Sequence, residues 1–248
     1  MRSLIGLAAV LAVSLPLAAR ADAPTPADIV DRADKIRSVG DAFSFDLTIQ
    51  NADTATRKSA ESRYKVFVKG REKSVVKFVA PAVDAGKAML MVGENLWMYF
   101  PTADRPLRLS LQQRLFGNVS NGDVARVNFG GDYDAKLESE EKAEGKDAWK
   151  LSLTAKKGVP TTYDKVTYWV EKGTFHPLKA EFFAASGKLV KTAAYKEYKP
   201  ILGTERPTIV DIQDGIQKSS VSRMTYSGYE VKELKDSMFQ QDNLKYLQ

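Results

Sequence analysis

Reactive side chains are sparse in this 248-residue chain, which has no cysteine and one histidine, His176, in Phe175-His176-Pro177. Nucleophilic catalysis needs a nucleophile beside a base, and a lone histidine between phenylalanine and proline reads as a turn residue leading into a strand. No Gly-x-Ser-x-Gly elbow and no glycine-rich phosphate loop occurs. One histidine and no thiolate leave only carboxylates as metal ligands. The acidic run Glu138 to Glu144 is mixed with lysine and reads as a solvated hairpin. Spacing singles out no pair of carboxylates for acid/base work, which depends on geometry. The expectation is a protein that is not an enzyme and that takes neither metal nor cofactor.

The chemistry the chain does offer is apolar. A half-buried strand alternates apolar and polar residues, because successive side chains point to opposite faces. In Gly93 to Ser110, however, Leu96, Trp97, Met98, Tyr99 and Phe100 give large apolar groups to both faces. A strand at the centre of a helix-covered sheet would read this way without any ligand. So would a strand with one face in a ligand cavity, and the nearby Met89, Met91 and Met98 suit a cavity that must adapt its shape.

Such a strand is held by its neighbours. Phe43, Phe45, Leu47 and Ile49 alternate with Ser44, Asp46, Thr48 and Gln50, the pattern of a strand with one wet face. Tyr64, Val66 and Val68 repeat it, as do Trp149, Leu151 and Leu153, and Val166, Tyr168 and Val170. Further strands are expected over 74–79, 88–92, 132–138, 177–184, 189–198, 208–214 and 219–229. Turns such as Lys69-Gly70-Arg71 and Glu144-Gly145-Lys146 separate them. One amphipathic helix is expected from near Asp28, carrying Ile29, Val30, Ala33 and Ile36, and a short helix or hook from Asp236 to the C-terminus. About ten or more antiparallel strands in meander order predict a mainly β fold, a large curved sheet or barrel.

The middle of the chain breaks the pattern. Ser110-Leu111-Gln112-Gln113 has the form of a capping box, which predicts a short helix with Leu111 and Leu115 on one face. Gly117-Asn118 ends it, and Ser120 to Asp123 opens a second helical stretch through Val124, Ala125 and Val127. A block of this kind inside a continuous sheet has the layout of a lid.

At the N-terminus, Arg2 precedes an uncharged run from Leu4 to Leu17, and Ala19-Arg20-Ala21 supplies small residues two positions apart, as a signal-peptide cleavage site requires. The run is too short to cross a bilayer, which takes about 20 apolar residues. Cleavage after Ala21 would remove Arg2 and Arg20, taking the net charge from +6 to +4 and leaving 227 residues, 22–248, as one domain. The expected compartment is the periplasm. A mild positive excess there suits anionic membrane surfaces or an acidic docking partner rather than nucleic acid; it also serves solubility.

Together these residues resemble a known family. An exported chain with an N-terminal helix, a long meander, the Trp97, Tyr99 and Pro101 strand, then Arg105-Pro106, Arg108 to Ser110 and a Gly117 to Asp123 segment is similar to the periplasmic lipoprotein-carrier (LolA-like) family, in its branch of outer-membrane lipoprotein-sorting proteins. The resemblance implies an unclosed antiparallel half-barrel with covering and lid helices around a cavity for the acyl chains of a lipid or lipoprotein. On that basis the expected lining is Phe45, Leu47, Val66, Val68, Val76 and Phe78 from the first strands and Met89, Met91, Trp97 and Tyr99 from the next. Leu111 and Leu115 of the lid and Trp149 and Leu151 of the second half complete it. The family carries a functional arginine in the hairpin after its second strand, coupled to the lid; Arg71 is the nearest match, offset by about one residue and without the following proline. The resemblance further implies a monomer that contacts membranes transiently and works with an inner-membrane exporter of the resistance-nodulation type, with Arg105, Arg108 and Arg114 placed to dock that partner or lipid headgroups. Sensors that bind an anti-sigma factor use the same half-barrel, which leaves a lipid-responsive adaptor as the alternative function; they append a small C-terminal domain for which this chain has no spare length after Tyr229.

Overall fold

The side chain of Thr25 accepts the Asp28 amide (3.2 Å) while the Asp28 carboxylate accepts the Thr25 amide (3.2 Å), and this reciprocal cap opens helix α1, Pro26–Arg37. The computed structural model describes residues 23–103, 105–126 and 128–247. The expected signal segment and Val127 lie outside those residues. Helix α1 buries Ile29, Val30 and Ala33. At its end the Arg206 guanidinium donates to the carbonyls of Lys35 (3.1 Å), Ile36 (2.6 Å) and Ser38, satisfying groups that a helix terminus leaves open.

The sheet grows outward from the middle. Strands β1 (Ala42–Asp53), β2 (Lys58–Lys69), β3 (Lys73–Ala80), β4 (Ala88–Val92), β5 (Asn95–Tyr99) and β6 (Leu107–Leu109) pair in sequence order and end at one edge. After a crossing segment, β9 (Tyr133–Ala143) starts the opposite edge. The chain returns through β10 (Lys146–Ala155), β11 (Lys165–Glu171), β12 (Pro177–Phe183), β13 (Leu189–Ile201), β14 (Thr204–Asp214) and β15 (Ser220–Val231), which pairs with β1. All thirteen strands form one antiparallel sheet whose edges, β6 and β9, do not meet. It is an open half-barrel.

Register decides which side chains face the concave side. Phe45 lies opposite Val66, Val66 opposite Val76, Val76 opposite Met89 and Met89 opposite Met98. That row belongs to the main core with Ile29, Val30 and Ala33 of α1. The alternate row, Phe67, Val75, Leu90 and Trp97, faces the other way. It is covered by the chain's last residues, where Leu234, Phe239 and Leu244 seal a second core with Trp97 and Tyr99 packed against it. Two 3-10 turns, Asp236–Phe239 and Gln241–Tyr246, shape this hook.

The crossing segment departs from expectation at its start. Its Ser110 amide does donate to the Gln113 side chain (3.0 Å), as a capping box would, but no helix follows. Instead β7 (Arg114–Phe116) and β8 (Val119–Ser120) form a small hairpin around Gly117-Asn118. Gly117 has φ 55°, and a Cβ there would sit 2.4 Å from the Ser222 hydroxyl and 2.6 Å from the Asn51 carbonyl oxygen. A left-handed glycine pressed onto the sheet closes the hairpin, which leaves no length for a helix. The second stretch is helical as expected: Ser120 and Asp123 cap α2 (Asn121–Ala125), and a one-turn helix, α3 (Phe129–Asp132), leads into β9.

Candidate functional site

Because the crossing segment runs from edge β6 to edge β9, it must pass over the concave face, and buried polar contacts fix it there. Lys191 of β13 donates to the Asn118 carbonyl (2.7 Å), the Ser120 hydroxyl (2.9 Å) and the Asp123 carboxylate (2.9 Å). Asp123 also accepts from the Tyr163 hydroxyl (2.6 Å). Arg126 pairs with Asp132, both side chains buried, and donates to the Gly93 carbonyl (2.7 Å). Ser74 of β3 donates to the Ala125 carbonyl (2.7 Å). Buried pairs of this kind are costly to break, because each leaves a charge without its partner. The segment is therefore a strap held at both ends, and it divides the concave side into separate spaces.

The main cavity, the more enclosed of two spaces of similar size, has about 400 Å³ and lies between the end of α1, the start of β1, the β2–β3 turn and the strap. Phe43, Phe45, Val68, Val124, Val210 and Tyr226 give it apolar walls, with Tyr229 stacked on Phe45 at 5.4 Å. Exposed residues at Lys35, Gly40, Asp41, Gly70 and Arg71 form its mouth. Arg71, the expected coupling residue, spans the elements around that mouth. Its guanidinium pairs with Asp31 of α1 and donates to the Asn128 side chain at the start of α3 (3.4 Å). The Asp31 pair lowers the Asp31 carboxyl below its usual value, through hydrogen bonds from Lys35 and Arg71.

Of the expected lining residues, Phe45 and Val68 face this cavity. Phe78 and Leu115 face a different, open cleft beside β5 and β7, which Arg114 also borders. Leu47, Val66, Val76, Met89, Met91, Leu111 and Leu151 are fully packed in the core between the spaces. Trp149 is half-buried at the far side, with its ring 5.3 Å from Phe175. Trp97 and Tyr99 are corrections: their strand alternates, Leu96 and Met98 take the concave face, and these two are covered by the C-terminal hook. Arg105 and Arg108 are exposed at and beside edge strand β6, and Arg114 is exposed on β7.

Two charges in the cavity wall, Asp34 buried and Arg37 partly so, carry no signal in the residue alternation of the strands. Asp34 of α1 accepts the Gly130 amide (2.8 Å) with one oxygen, while its other oxygen has no partner. Burial pushes its carboxyl up to about 6. Arg37 closes the helix with its Nη1 shielded from solvent and unpartnered. Positions 29, 33 and 37 recur every four residues, so Arg37 continues the apolar face of the helix; that spacing was the available signal. His176 sits apart, stacked on Tyr198 at 4.1 Å, where burial holds its imidazole below the usual value. Among the described residues no cluster of His, Asp and Glu is placed to hold a metal ion, and no helix is long and apolar enough to cross a membrane.

A family model described only as that of an uncharacterized protein matches residues 70–246. No curated protein matches the chain. Among solved structures, a LolA superfamily protein from Nitrosomonas europaea is 40% identical with a TM-score of 0.84, and the match covers 89% of this chain and 99% of that one. A DUF1329 family protein from Desulfovibrio piger shares the fold at 23% identity and a TM-score of 0.77, over 89% of this chain and 99% of that one. A putative outer membrane lipoprotein-sorting protein domain from Vibrio parahaemolyticus does so at 20% identity and a TM-score of 0.73, over 87% and 97%.

Proposed function

This chain belongs to the LolA superfamily, and we propose that it is a periplasmic carrier that shields the acyl chains of a lipid or lipoprotein during transfer between membranes. The observation that carries this reading is the cavity of about 400 Å³ on the concave face, walled by Phe43, Phe45, Val68 and Tyr229 and open at the end of α1. Acyl chains need no directional partner, so burial of apolar area at roughly 25 cal/mol per Å² supplies the affinity. Arg71 ties the β2–β3 turn to α1 and α3, so it couples the mouth to the covering elements. The reading includes no catalysis. It does include a membrane-embedded exporter as donor or acceptor, with Arg105, Arg108 and Arg114 as docking cations. Reversing the charge of all three should weaken association with the exporter or with anionic vesicles.

Uptake of a neutral naphthylamine dye tests the cavity. Phe45→Glu and Tyr229→Glu should each abolish the fluorescence gain while the β-rich circular dichroism remains. Tyr229 is half-buried and tolerates the change if Phe45 does not. Undiminished dye uptake in a folded Tyr229→Glu protein would place the binding elsewhere.

A further inference from the structure

The other cations in the wall of the main cavity are already answered by the protein. Lys35 pairs with Asp31 (2.8 Å), Lys73 with Asp236 (2.9 Å) and Arg71 with Asp31, while Arg206 is spent on the end of α1. Arg37 differs. Among the described residues it forms no ion pair and no hydrogen bond, and its Nη1 is cut off from solvent. Aromatic faces hold it instead, with the guanidinium carbon 5.3 Å from the centre of the Phe129 ring and 5.4 Å from that of Tyr195. Cation–π contact offsets part of the cost of burial, but the Nη1 donors are left without an acceptor. A buried charge normally has a partner. Here the Nη1 edge is open to a partner from outside the chain.

The shape of the space around Arg37 limits what that partner is. Arg37 stands where the main cavity meets a smaller one of about 40 Å³; Asp123, Val210 and Tyr226 also line both. That smaller volume is a tenth of the main one, so the bulk of a ligand lies in the main cavity and only a compact headgroup reaches past Arg37. The main cavity, 400 Å³, lies near the lower end of the roughly 300–1,000 Å³ range of small-molecule sites, which favours one acyl chain over two or three.

We propose that Arg37 is an anion-binding residue and that the ligand is a single-chain carboxylate amphiphile, a long-chain fatty acid, bound head first with its carboxylate on Arg37 and its chain running past Phe45 and Tyr229 to the mouth. The inference rests on the carrier reading and narrows its cargo. A guanidinium receives a carboxylate through two parallel hydrogen bonds. Asp123, the nearest fixed carboxylate on the strap, is already occupied by Lys191 and Tyr163. Asp34 is held by the Gly130 amide.

The test is fluorescence titration of the full chain with cis-parinaric acid and with its methyl ester, followed by competition of lauric acid against dodecyl phosphate. The wild type should bind the acid about 10- to 100-fold tighter than the ester, the range expected for a charge-assisted hydrogen-bonded pair. Arg37→Met should erase that advantage, and Arg37→Lys, which keeps the charge but not the fork, should retain part of it. Equal binding of acid and ester by the wild type overturns the inference and leaves the carrier reading standing; binding of neither overturns the carrier reading itself. Stronger competition by dodecyl phosphate overturns the carboxylate assignment. If Arg37→Met does not fold, the acid-to-ester ratio of the wild type decides alone.

Discussion

Replacing Asp34 with asparagine separates a buried, unpaired carboxylate from one that is paired with Arg37. The folded protein raises this carboxyl from 3.8 to about 6, chiefly by burial. At about 1.4 kcal/mol per pH unit, ionised Asp34 therefore costs the fold about 3 kcal/mol at pH 7. Because the folded pKa lies above the unfolded one, the folded state holds a proton that the unfolded chain releases. The stability from that proton is fully present below 3.8 and is lost as pH rises through about 6. Asparagine keeps an oxygen for the Gly130 amide and does not titrate. In urea unfolding at pH 7 and pH 4, the wild type should gain about 2 kcal/mol on the variant as pH falls, with all other carboxylates cancelling in the comparison. A difference that does not change with pH would mean that Asp34 is solvated. A wild type that loses ground on acidification would mean that Asp34 and Arg37 are paired, which would remove the case for an external anion.

Lys191→Met leaves Asp123 buried without its cation, which should cost about 3–5 kcal/mol and speed hydrogen exchange at residues 118–123; unchanged urea stability would show that the strap is not held there. Trp97→Ala should lower stability by about 2–4 kcal/mol by opening the contact with the C-terminal hook, with dye uptake intact. Lost uptake with stability intact would return Trp97 to the cavity. Arg71→Ala removes a pair whose arginine is 46% exposed, so stability should change by less than about 1 kcal/mol; stopped-flow mixing should show faster dye release, and an unchanged release rate would remove the coupling role.

Many of the strands were legible in the sequence because one of their faces is wet. Phe43 to Gln50 alternates cleanly, and β1 covers that stretch. Where both faces are covered, alternation disappears. Leu96 to Phe100 announced two buried faces but not their covers, since the hook over Trp97 begins more than a hundred residues later. The Ser110 capping box was read locally as a helix, and the contact of Gly117 with Asn51 and Ser222, which favours a hairpin, is a tertiary constraint invisible at that spacing. The site was half legible. Phe45, Val68 and Arg71 line one cavity. Met89 and Met91 are instead packed solid, because the strap and α1 fill the middle of the half-barrel and leave space to either side of it.

The central claim is that the concave cavity carries an acyl chain, and its most direct test is native mass spectrometry of the protein isolated gently from its native host without detergent, with organic extraction of whatever it holds. The account predicts an apolar-chain ligand near one per protein molecule, absent from Tyr229→Glu. Protein that emerges empty, binds no dye and exchanges the amides around Phe45 and Val68 as slowly as those of Val76 would contradict it.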